Sequence, residues 1–213
     1  MGGMSRRGFL AAGVAGAVTT TVGMAKPAGA APRLVGYPDG MGVLVDLTRC
    51  VGCRSCEAAC NKANHLPAPS KPFDDLSVTG ETHEGRKRRP DERAYTVVNK
   101  YDVPGQKAPV YRKLQCNHCN EPSCLTSCFV NAYTKTPEGA VVYNADVCVG
   151  CRMCMTACPF YMPGYSYSSA TNPLVVKCNF CHESRLKNGL PPACVEACPQ
   201  EALLFGRRSE LLT

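Results

Sequence analysis

The sequence contains no tryptophan, and aromatic residues make up only 7 % of its 213 residues. Few large side chains are therefore available to fill a core, whereas 17 prolines and 19 glycines favour turns and loops. These features together predict a loop-rich fold whose order comes partly from covalent or metal links.

Motifs of several function classes are also missing. The sequence has no phosphate-binding loop, no dinucleotide-binding fingerprint and no nucleophile–base pair. It has no motif of a nucleic-acid binder either. We therefore predict a non-catalytic protein with no small-molecule substrate and no nucleic-acid partner.

Cysteine is the residue that the sequence has in excess. Sixteen cysteines fall into four groups of four, with none left over. Group one is Cys50, Cys53, Cys56 and Cys60; group two is Cys116, Cys119, Cys124 and Cys128; group three is Cys148, Cys151, Cys154 and Cys158; group four is Cys178, Cys181, Cys194 and Cys198. Groups one and three have the spacing C-x2-C-x2-C-x3-C, and Pro159 completes the run typical of bacterial ferredoxins in group three.

This spacing suits a cubane iron–sulfur cluster. A tight loop with cysteines at every third position can wrap three corners of the cluster. The fourth cysteine of each group comes one helical turn later and faces away, so it is better placed to bind a neighbouring cluster. We therefore predict paired clusters, four [4Fe–4S] clusters in all, bound by the sixteen cysteines through iron.

Zinc and disulfides are the alternative uses of these cysteines. Structural zinc sites usually combine two separated Cys-x-x-Cys pairs, so a third cysteine at the same interval is surplus. Three cysteines at intervals of three cannot all pair locally as disulfides. The regular spacing favours iron–sulfur clusters over both.

The cysteine groups repeat along the chain. A shift of 98 residues superimposes group one on group three, together with Gly52 on Gly150 and Arg54 on Arg152. A shift of 62 residues superimposes the first two cysteines of group two on those of group four. The chain is predicted to be a duplicated two-cluster unit.

The N-terminus resembles a twin-arginine export signal. Arg6 and Arg7 precede an Ala- and Gly-rich run, and 28–30 form a small-residue cleavage site. A retained anchor is the alternative. Export in the folded state is compatible with clusters inserted beforehand, so the signal predicts a periplasmic protein.

The remaining segments connect the cysteine groups. Residues 61–93 are rich in proline and charge, and Arg86–Arg89 is interpreted as a solvated surface run rather than a site for an acidic partner. Two β-rich segments around Pro104 and Gly105 predict a hairpin. "VLVDL" and "AVVY" are interpreted as core strands.

Net charge fits the cluster hypothesis. The formal charge of +7 falls to +4 without residues 1–30, which carry three basic and no acidic residues. Each oxidised cluster with its thiolates carries about −2. The basic balance is therefore explained as compensation for cluster charge.

Taken together, "CVGCRSCEAACNKANHLPAP", "YTVVNKY", "QCNHCNEPSCLTSCFVNAYTK", "CVGCRMCMTACPF" and "PACVEACPQEALLFGRR" resemble one known family. They are similar to the four-cluster ferredoxin-like electron-transfer subunits of membrane oxidoreductase complexes. The resemblance is strongest to the exported subunits of high-molecular-weight cytochrome c complexes and membrane-bound nickel–iron hydrogenases. It covers Gly42 to about Arg208.

The resemblance implies a nested ligand pattern of four quartets, whereas the sequence alone also allows pairing of group one with two and of three with four. Quartet 1 is Cys50, Cys53, Cys56 and Cys198; quartet 2 is Cys116, Cys119, Cys124 and Cys158; quartet 3 is Cys148, Cys151, Cys154 and Cys128; quartet 4 is Cys178, Cys181, Cys194 and Cys60. His118 and His182, beside cluster cysteines, are not expected to be ligands. Arg54 and Arg152 are expected either to raise cluster potentials or simply to aid solubility.

The resemblance also implies an α+β fold of duplicated dicluster-ferredoxin-like units, loop-rich, with an inserted charged loop and hairpin. The predicted segments are a signal peptide at 1–30, a leader at 31–41, a first ferredoxin-like unit at 42–60 and 178–206, an insertion and hairpin at 61–115, a second ferredoxin-like unit at 116–160, a connection at 161–177 and a tail at 207–213.

The implied partners are a catalytic oxidoreductase or multihaem cytochrome subunit and an integral membrane quinone-linked subunit. Relatives often continue beyond this length, some into a membrane helix. The chain is therefore interpreted either as a fragment or as a protein that sits peripherally on the membrane through a partner. A free periplasmic polyferredoxin shuttle is the alternative.

Overall fold

The computed structural model describes residues 40–168 and 174–213. These residues belong to one compact unit, Gly36–Thr213. The predicted signal peptide and all but the end of the leader lie outside the described residues.

The described chain consists of short elements joined by loops. Its strands are β1 (Met41–Val45), β2 (Thr82–His83), β3 (Arg86–Lys87), β4 (Val97–Tyr101), β5 (Val110–Leu114), β6 (Tyr133–Lys135), β7 (Val141–Tyr143), β8 (Gly164–Tyr165), β9 (Val175–Val176) and β10 (Leu203–Arg207). Its α-helices are α1 (Ser55–Ala63), α2 (Ser123–Thr126), α3 (Met153–Ala157), α4 (Ala193–Glu196) and α5 (Arg208–Leu211). Two 3₁₀ turns cover Leu76–Gly80 and Leu186–Asn188.

The first and last strands form one antiparallel ladder. β1 pairs with β10 from Met41 opposite Arg207 to Val45 opposite Leu203. The helix that follows β1, α1, packs against α4, which precedes β10. The ladder therefore brings the first and fourth cysteine groups together.

A second assembly of the same kind lies in the middle of the chain. β6 pairs antiparallel with β7, and α2 packs against α3 and β6. Its core contains Tyr133, Val141, Tyr165 and Val175. A separate apolar cluster of Ala140, Phe180 and Leu186 contacts residues of β1, β7 and β10, and so joins the two assemblies.

The predicted hairpin is present. β4 pairs with β5 from Val97 opposite Leu114 to Tyr101 opposite Val110, and the connection contains Pro104 and Gly105. Val97 and Val98 are almost completely buried. β-Branched residues on a buried strand explain why this part of the insertion is ordered.

The fold is a mixed α+β, ferredoxin-like arrangement of small helices and two-stranded antiparallel pairs. This coarse class is as predicted. No helix within residues 40–168 and 174–213 combines the length and apolarity needed to cross a membrane.

Strand β1 contributes one face to the core. Val43 and Val45 pack against the apolar cluster of Cys56, Val98, Cys194 and Leu203. Leu44, between them, is 41 % exposed, because a two-stranded ladder is covered on one face only.

The basic run is also not a fully solvated loop. Arg88 binds the Glu57 carboxylate at 3.1 Å and 3.3 Å, and Arg89 donates to the backbone oxygens of Phe160 and Tyr161, both at 3.0 Å. The prediction of a purely solvated run is therefore wrong for these two residues, because their guanidinium groups satisfy acceptors on the folded body.

Glu57 is the centre of an ionic network that fastens the insertion to α1. Its side chain is fully buried and also binds the Arg54 guanidinium, at 2.9 Å, and the backbone N–H of Val98. Arg54 in turn donates to the backbone oxygens of Pro72 and Asp75. One carboxylate thus joins the helix, the loop and the hairpin.

Glu57→Gln is expected to destabilise the protein by about 3–5 kcal/mol, because it leaves the buried Arg54 without its counter-charge. Thermal unfolding of the anaerobically prepared protein measures this. Glu81→Gln is the control, because Glu81 pairs with Lys71 at the surface, where an ion pair contributes about 1 kcal/mol or less. If both variants lose the same amount of stability to thermal unfolding, the proposed role of the Glu57 network is wrong.

Candidate iron–sulfur centres

The loops of groups one and three have the same backbone conformation. Gly52 and Gly150 have φ of 74° and 71°, and Arg54 and Arg152 both have φ 63° and ψ 7°. Arg54 and Arg152 stand directly before α1 and α3. Together with the left-handed glycines they turn the chain sharply around the cysteines. The identical torsions follow the repeat that the sequence shows.

A second shared geometry follows the fourth cysteine of groups two, three and four. The residue three positions later is left-handed in each: Asn131, Tyr161 and Glu201. This turn aims the next backbone N–H at the cysteine Sγ, at 3.2 Å for Cys128, 3.5 Å for Cys158 and 3.3 Å for Cys198. Such N–H donors stabilise a thiolate.

Group one differs, because α1 continues past its fourth cysteine. Asn64 ends the helix, and its side-chain amide donates to the Cys60 Sγ at 3.6 Å and to the Cys60 carbonyl oxygen at 2.8 Å. A side-chain N–H therefore replaces the backbone donor of the other groups.

Two cavities are each lined by one complete quartet. Cys50, Cys53 and Cys56 line one cavity together with Cys198. The four cysteines of quartet 2 line the other, beside Pro159 and Lys177. In both, three cysteines of one group meet the fourth cysteine of another.

The other two quartets are marked by mutual electrostatics and packing. Burial raises the pKa of Cys60, and Cys178, Cys194 and Cys181 raise it further. The pKa of Cys154 is likewise raised, first by burial and then by Cys148 and Cys151 among its neighbours. Cys128 packs in the same apolar cluster as Cys148 and Cys154.

The donor set fits iron–sulfur clusters. All sixteen cysteines are free thiols. Each of the two cavities offers four of them, and thiols are the ligands that a [4Fe–4S] core requires.

Burial makes these thiols hard to ionise without iron. It raises the pKa of Cys56 and Cys178 to about 12 and that of Cys124 to about 11. A bound metal cation deprotonates a coordinating thiol outright. These cysteines are therefore suited to be thiolates only when bound iron balances their negative charge.

Buried tyrosine hydroxyls around quartet 3 also fit a cluster. Tyr133 and Tyr143 have hydroxyls without a hydrogen-bond partner among the described residues. Burial, followed by the Cys154 thiol, raises the pKa of Tyr133, and burial followed by Cys148 raises that of Tyr143. These protonated hydroxyls are donors suited to cluster sulfur.

The two repeat-related arginines have different surroundings. Arg54 is buried and paired with Glu57, so its charge is neutralised next to the cluster loop. Arg152 is exposed and lies over the rings of Tyr165 and Tyr167 at 4.9 Å and 5.3 Å. The structure gives Arg54 a packing role that neither sequence interpretation included.

The two histidines do not complete a metal site. His118 is buried, stacks on Phe180 at 4.7 Å and accepts a hydrogen bond from the Val141 N–H at Nδ1. Burial, then Lys177, holds its pKa well below the usual value, so it is neutral. His182 is also buried and contacts Glu138 and Glu183.

Two further candidate functional residues, Lys113 and Lys177, were not predicted from the sequence. Both are buried beside the cysteines. The position of Lys177 next to Cys178 could have indicated its role. Nothing in the sequence around Lys113 indicated one, because its cysteine neighbours come from the distant groups one and four.

Comparison with known proteins supports an iron–sulfur protein. Residues 108–208 match the 4Fe-4S dicluster domain family. The chain is 52 % identical over 211 residues to a protein of Nitratidesulfovibrio vulgaris, covering 98 % of this chain and 55 % of the relative. It is 34 % identical over 220 residues to the hydrogenase-2 operon protein HybA of Escherichia coli O157:H7, covering 98 % and 64 %.

A third relative is covered over most of its length. The B subunit of the anaerobic dimethyl sulfoxide reductase of Escherichia coli is 35 % identical over 170 residues, which cover 80 % of this chain and 75 % of the relative. The chain spans 55–64 % of the length of the other two relatives.

The geometry and the matches together identify an iron–sulfur protein. The chain belongs to the 4Fe-4S dicluster family. The predicted resemblance and [4Fe–4S] binding are confirmed. The electron-transfer role, the number of clusters and the ligands of each stay predictions.

Gly52→Ala is expected to destabilise the loop of group one by about 1–3 kcal/mol more than Gly85→Ala destabilises its turn. Both glycines have φ 74°, but a Cβ at Gly52 lies 2.3 Å from the Tyr111 ring, whereas nothing lies within 4 Å of one at Gly85. Thermal unfolding of the two anaerobically prepared variants measures the difference. The same midpoint in both contradicts this packing.

Proposed function

We propose that this protein is an electron-transfer subunit that relays single electrons through four [4Fe–4S] clusters. The relay connects a catalytic or cytochrome subunit to a membrane quinone-linked subunit. The observation that carries the proposal is the cavity that Cys50, Cys53 and Cys56 of group one line together with Cys198 of group four.

The nested ligand pattern is part of the proposal. The cavity lined by quartet 2 and the electrostatic neighbours of Cys60 support it, because sequential pairing of group one with group two requires Cys60 to face group two instead. Antiparallel pairing of β1 with β10 supports a first ferredoxin-like unit made of 42–60 and 178–206. The helices and hairpin of 116–160 support the second unit, and the matching loop torsions support duplication.

The order of the quartets suggests a line. Cys116 of quartet 2 is close enough to Cys178 of quartet 4 to raise its pKa, after burial. Cys56 of quartet 1 and Cys194 of quartet 4 also interact. Cys124 of quartet 2 packs in the same apolar cluster as Cys148 and Cys154 of quartet 3. These contacts support the order quartet 1, quartet 4, quartet 2, quartet 3, with the exposed Cys151 at one end.

Export and assembly complete the proposal. The twin-arginine-like N-terminus supports a periplasmic location at the membrane surface. The names of HybA and of the dimethyl sulfoxide reductase subunit associate those proteins with a hydrogenase operon and a reductase, which supports a redox partner for this chain. A free polyferredoxin shuttle is the second candidate.

Anaerobic extraction of the tagged full-length protein from its native membranes with mild detergent tests the relay. Native mass measurement is expected to show this chain with a redox-active catalytic or cytochrome subunit and a membrane subunit. A high-salt wash without detergent is the control for loose adsorption. Recovery of the protein only as a monomer in the soluble fraction contradicts the proposed complex and favours the free shuttle.

Cys60→Ser tests the nested pattern. The wild-type protein is expected to hold about sixteen iron atoms, and the variant is expected to lose or alter the cluster of Cys178, Cys181 and Cys194. Iron and sulfide analysis with electron paramagnetic resonance measures this. The matched control is Cys198→Ser, which is expected to alter the cluster of Cys50, Cys53 and Cys56. If Cys60→Ser alters that cluster instead, the pattern is wrong.

A further inference from the structure

Two lysines are buried in the interior without a carboxylate partner. Lys113 on β5 and Lys177 after β9 are each 5 % exposed. No ion pair joins either ammonium group to an acidic side chain in the parts of the chain that the structure describes. A buried cation without a counter-charge is strongly unfavourable, so these positions require negative charge from another source.

Neutral oxygen atoms hold both ammonium groups in place. Lys177 Nζ donates to the backbone oxygens of Val141 and Cys178, at 2.5 Å and 2.8 Å, and lies 3.8 Å from the Cys116 Sγ. Lys113 Nζ donates to the side-chain oxygen of Gln115. These bonds orient the lysines without cancelling their charge.

Lys113 lies within the electrostatic reach of cysteines from two quartets. Burial raises the pKa of the neighbouring thiols, and Lys113 opposes that rise. The thiols affected are Cys50 and Cys56 of quartet 1 and Cys60, Cys178 and Cys181 of quartet 4. Lys113 therefore faces the boundary between quartets 1 and 4.

The strand pairing places Lys113 beside cysteines of both quartets. Lys113 lies opposite Val98 in the β4–β5 ladder, and Val98 packs with Cys56 of quartet 1 and Cys194 of quartet 4. The negative charge that no carboxylate supplies would come from clusters bound by these cysteines.

Lys177 acts on a different set. It touches Cys116, and it opposes the rise that burial causes in the pKa of Cys124. Both cysteines belong to quartet 2. Neither lysine is among the groups that shift the pKa of Cys154, in quartet 3. A half-buried third lysine, Lys135, donates to the backbone oxygens of His118, Cys119 and Gly139 and also lies near quartet 2.

We infer that Lys113 and Lys177 are positioning residues for electron transfer, fixed cations that raise the reduction potentials of the clusters they face. This inference rests on the proposed function. With clusters bound, each transfer would oxidise one cluster by one electron and reduce its neighbour by the same electron, with no bond made or broken. A reduced cluster would carry one more negative charge, so a cation held nearby in a poorly screening interior would favour the reduced form.

Among the described residues, buried lysines lie near quartets 1, 4 and 2, whereas none of them faces quartet 3. Lys113 favours electrons on the clusters of quartets 4 and 1, and Lys177 favours them on the cluster of quartet 2. At quartet 3 the surrounding groups are instead tyrosine hydroxyls and the exposed Arg152. Replacement of one lysine should therefore move some potentials and not others.

Lys113→Met and Lys177→Met test this by potentiometric titration monitored by electron paramagnetic resonance on the holoprotein. Lys113→Met is expected to lower the midpoint potential of one or two clusters. Lys177→Met is expected to lower the midpoint potential of a different cluster. Neither substitution is expected to change the midpoint potentials of all four clusters. Lys113→Arg and Lys177→Arg, which keep the charge, are expected to restore the wild-type potentials.

Lys71→Met is the control for charge removal, because Lys71 is exposed and paired with Glu81. If the methionine variants lose iron, Lys113→Gln and Lys177→Gln keep a polar atom and carry the same measurement. Four intact clusters with unchanged potentials overturn the inference, as does a shift equal to that of Lys71→Met. Fewer than four clusters in the wild-type protein instead contradict the proposed function.

Discussion

Cysteines from distant parts of the chain converge in this fold, and its other features are arranged around that convergence. Cys198 lines one cavity with Cys50, Cys53 and Cys56, because the β1–β10 ladder pairs the two ends of the described chain. Short helices, left-handed turns and small strand pairs suit this convergence, because long elements carry their side chains away from a shared point. A chain poor in aromatic residues can be ordered in this way because metal ligation replaces part of a large apolar core.

The charges of the interior follow from the same convergence. Sulfur-bound clusters are anionic, so buried lysines beside the cysteines find their counter-charge there and not in carboxylates. The one fully buried carboxylate among the described residues, Glu57, has a different task. It is matched by Arg54 and Arg88 and holds the insertion against α1. Arginine therefore plays two roles, since Arg54 is neutralised while the repeat-related Arg152 lies exposed against tyrosine rings.

Much of the site was predictable because ligand chemistry restricts spacing. The sixteen cysteines, their four groups and the duplicated loops were visible as intervals, and the hairpin around Pro104 and Gly105 followed from turn residues between β-rich segments. The contact of Arg88 with Glu57 was not predictable. Charge runs are usually solvated, and only the position of Glu57 beside the insertion pairs this partly buried arginine with a carboxylate. Apolar composition also did not reveal that only one face of β1 is covered, by contacts of Val43 and Val45.

The ligand chemistry could be inferred without a structure: soft thiol ligands, their number, and the loop spacing that suits [4Fe–4S] clusters. Local backbone rules act over a few residues, so they also account for the left-handed Gly52 and Gly150 in the repeated loops. The placement of Cys198 beside the loop of Cys50, Cys53 and Cys56, and of Lys113 among cysteines of groups one and four, came from tertiary packing. Those relations join residues far apart in the chain, and no local pattern encodes them, because they arise when strands pair and helices pack.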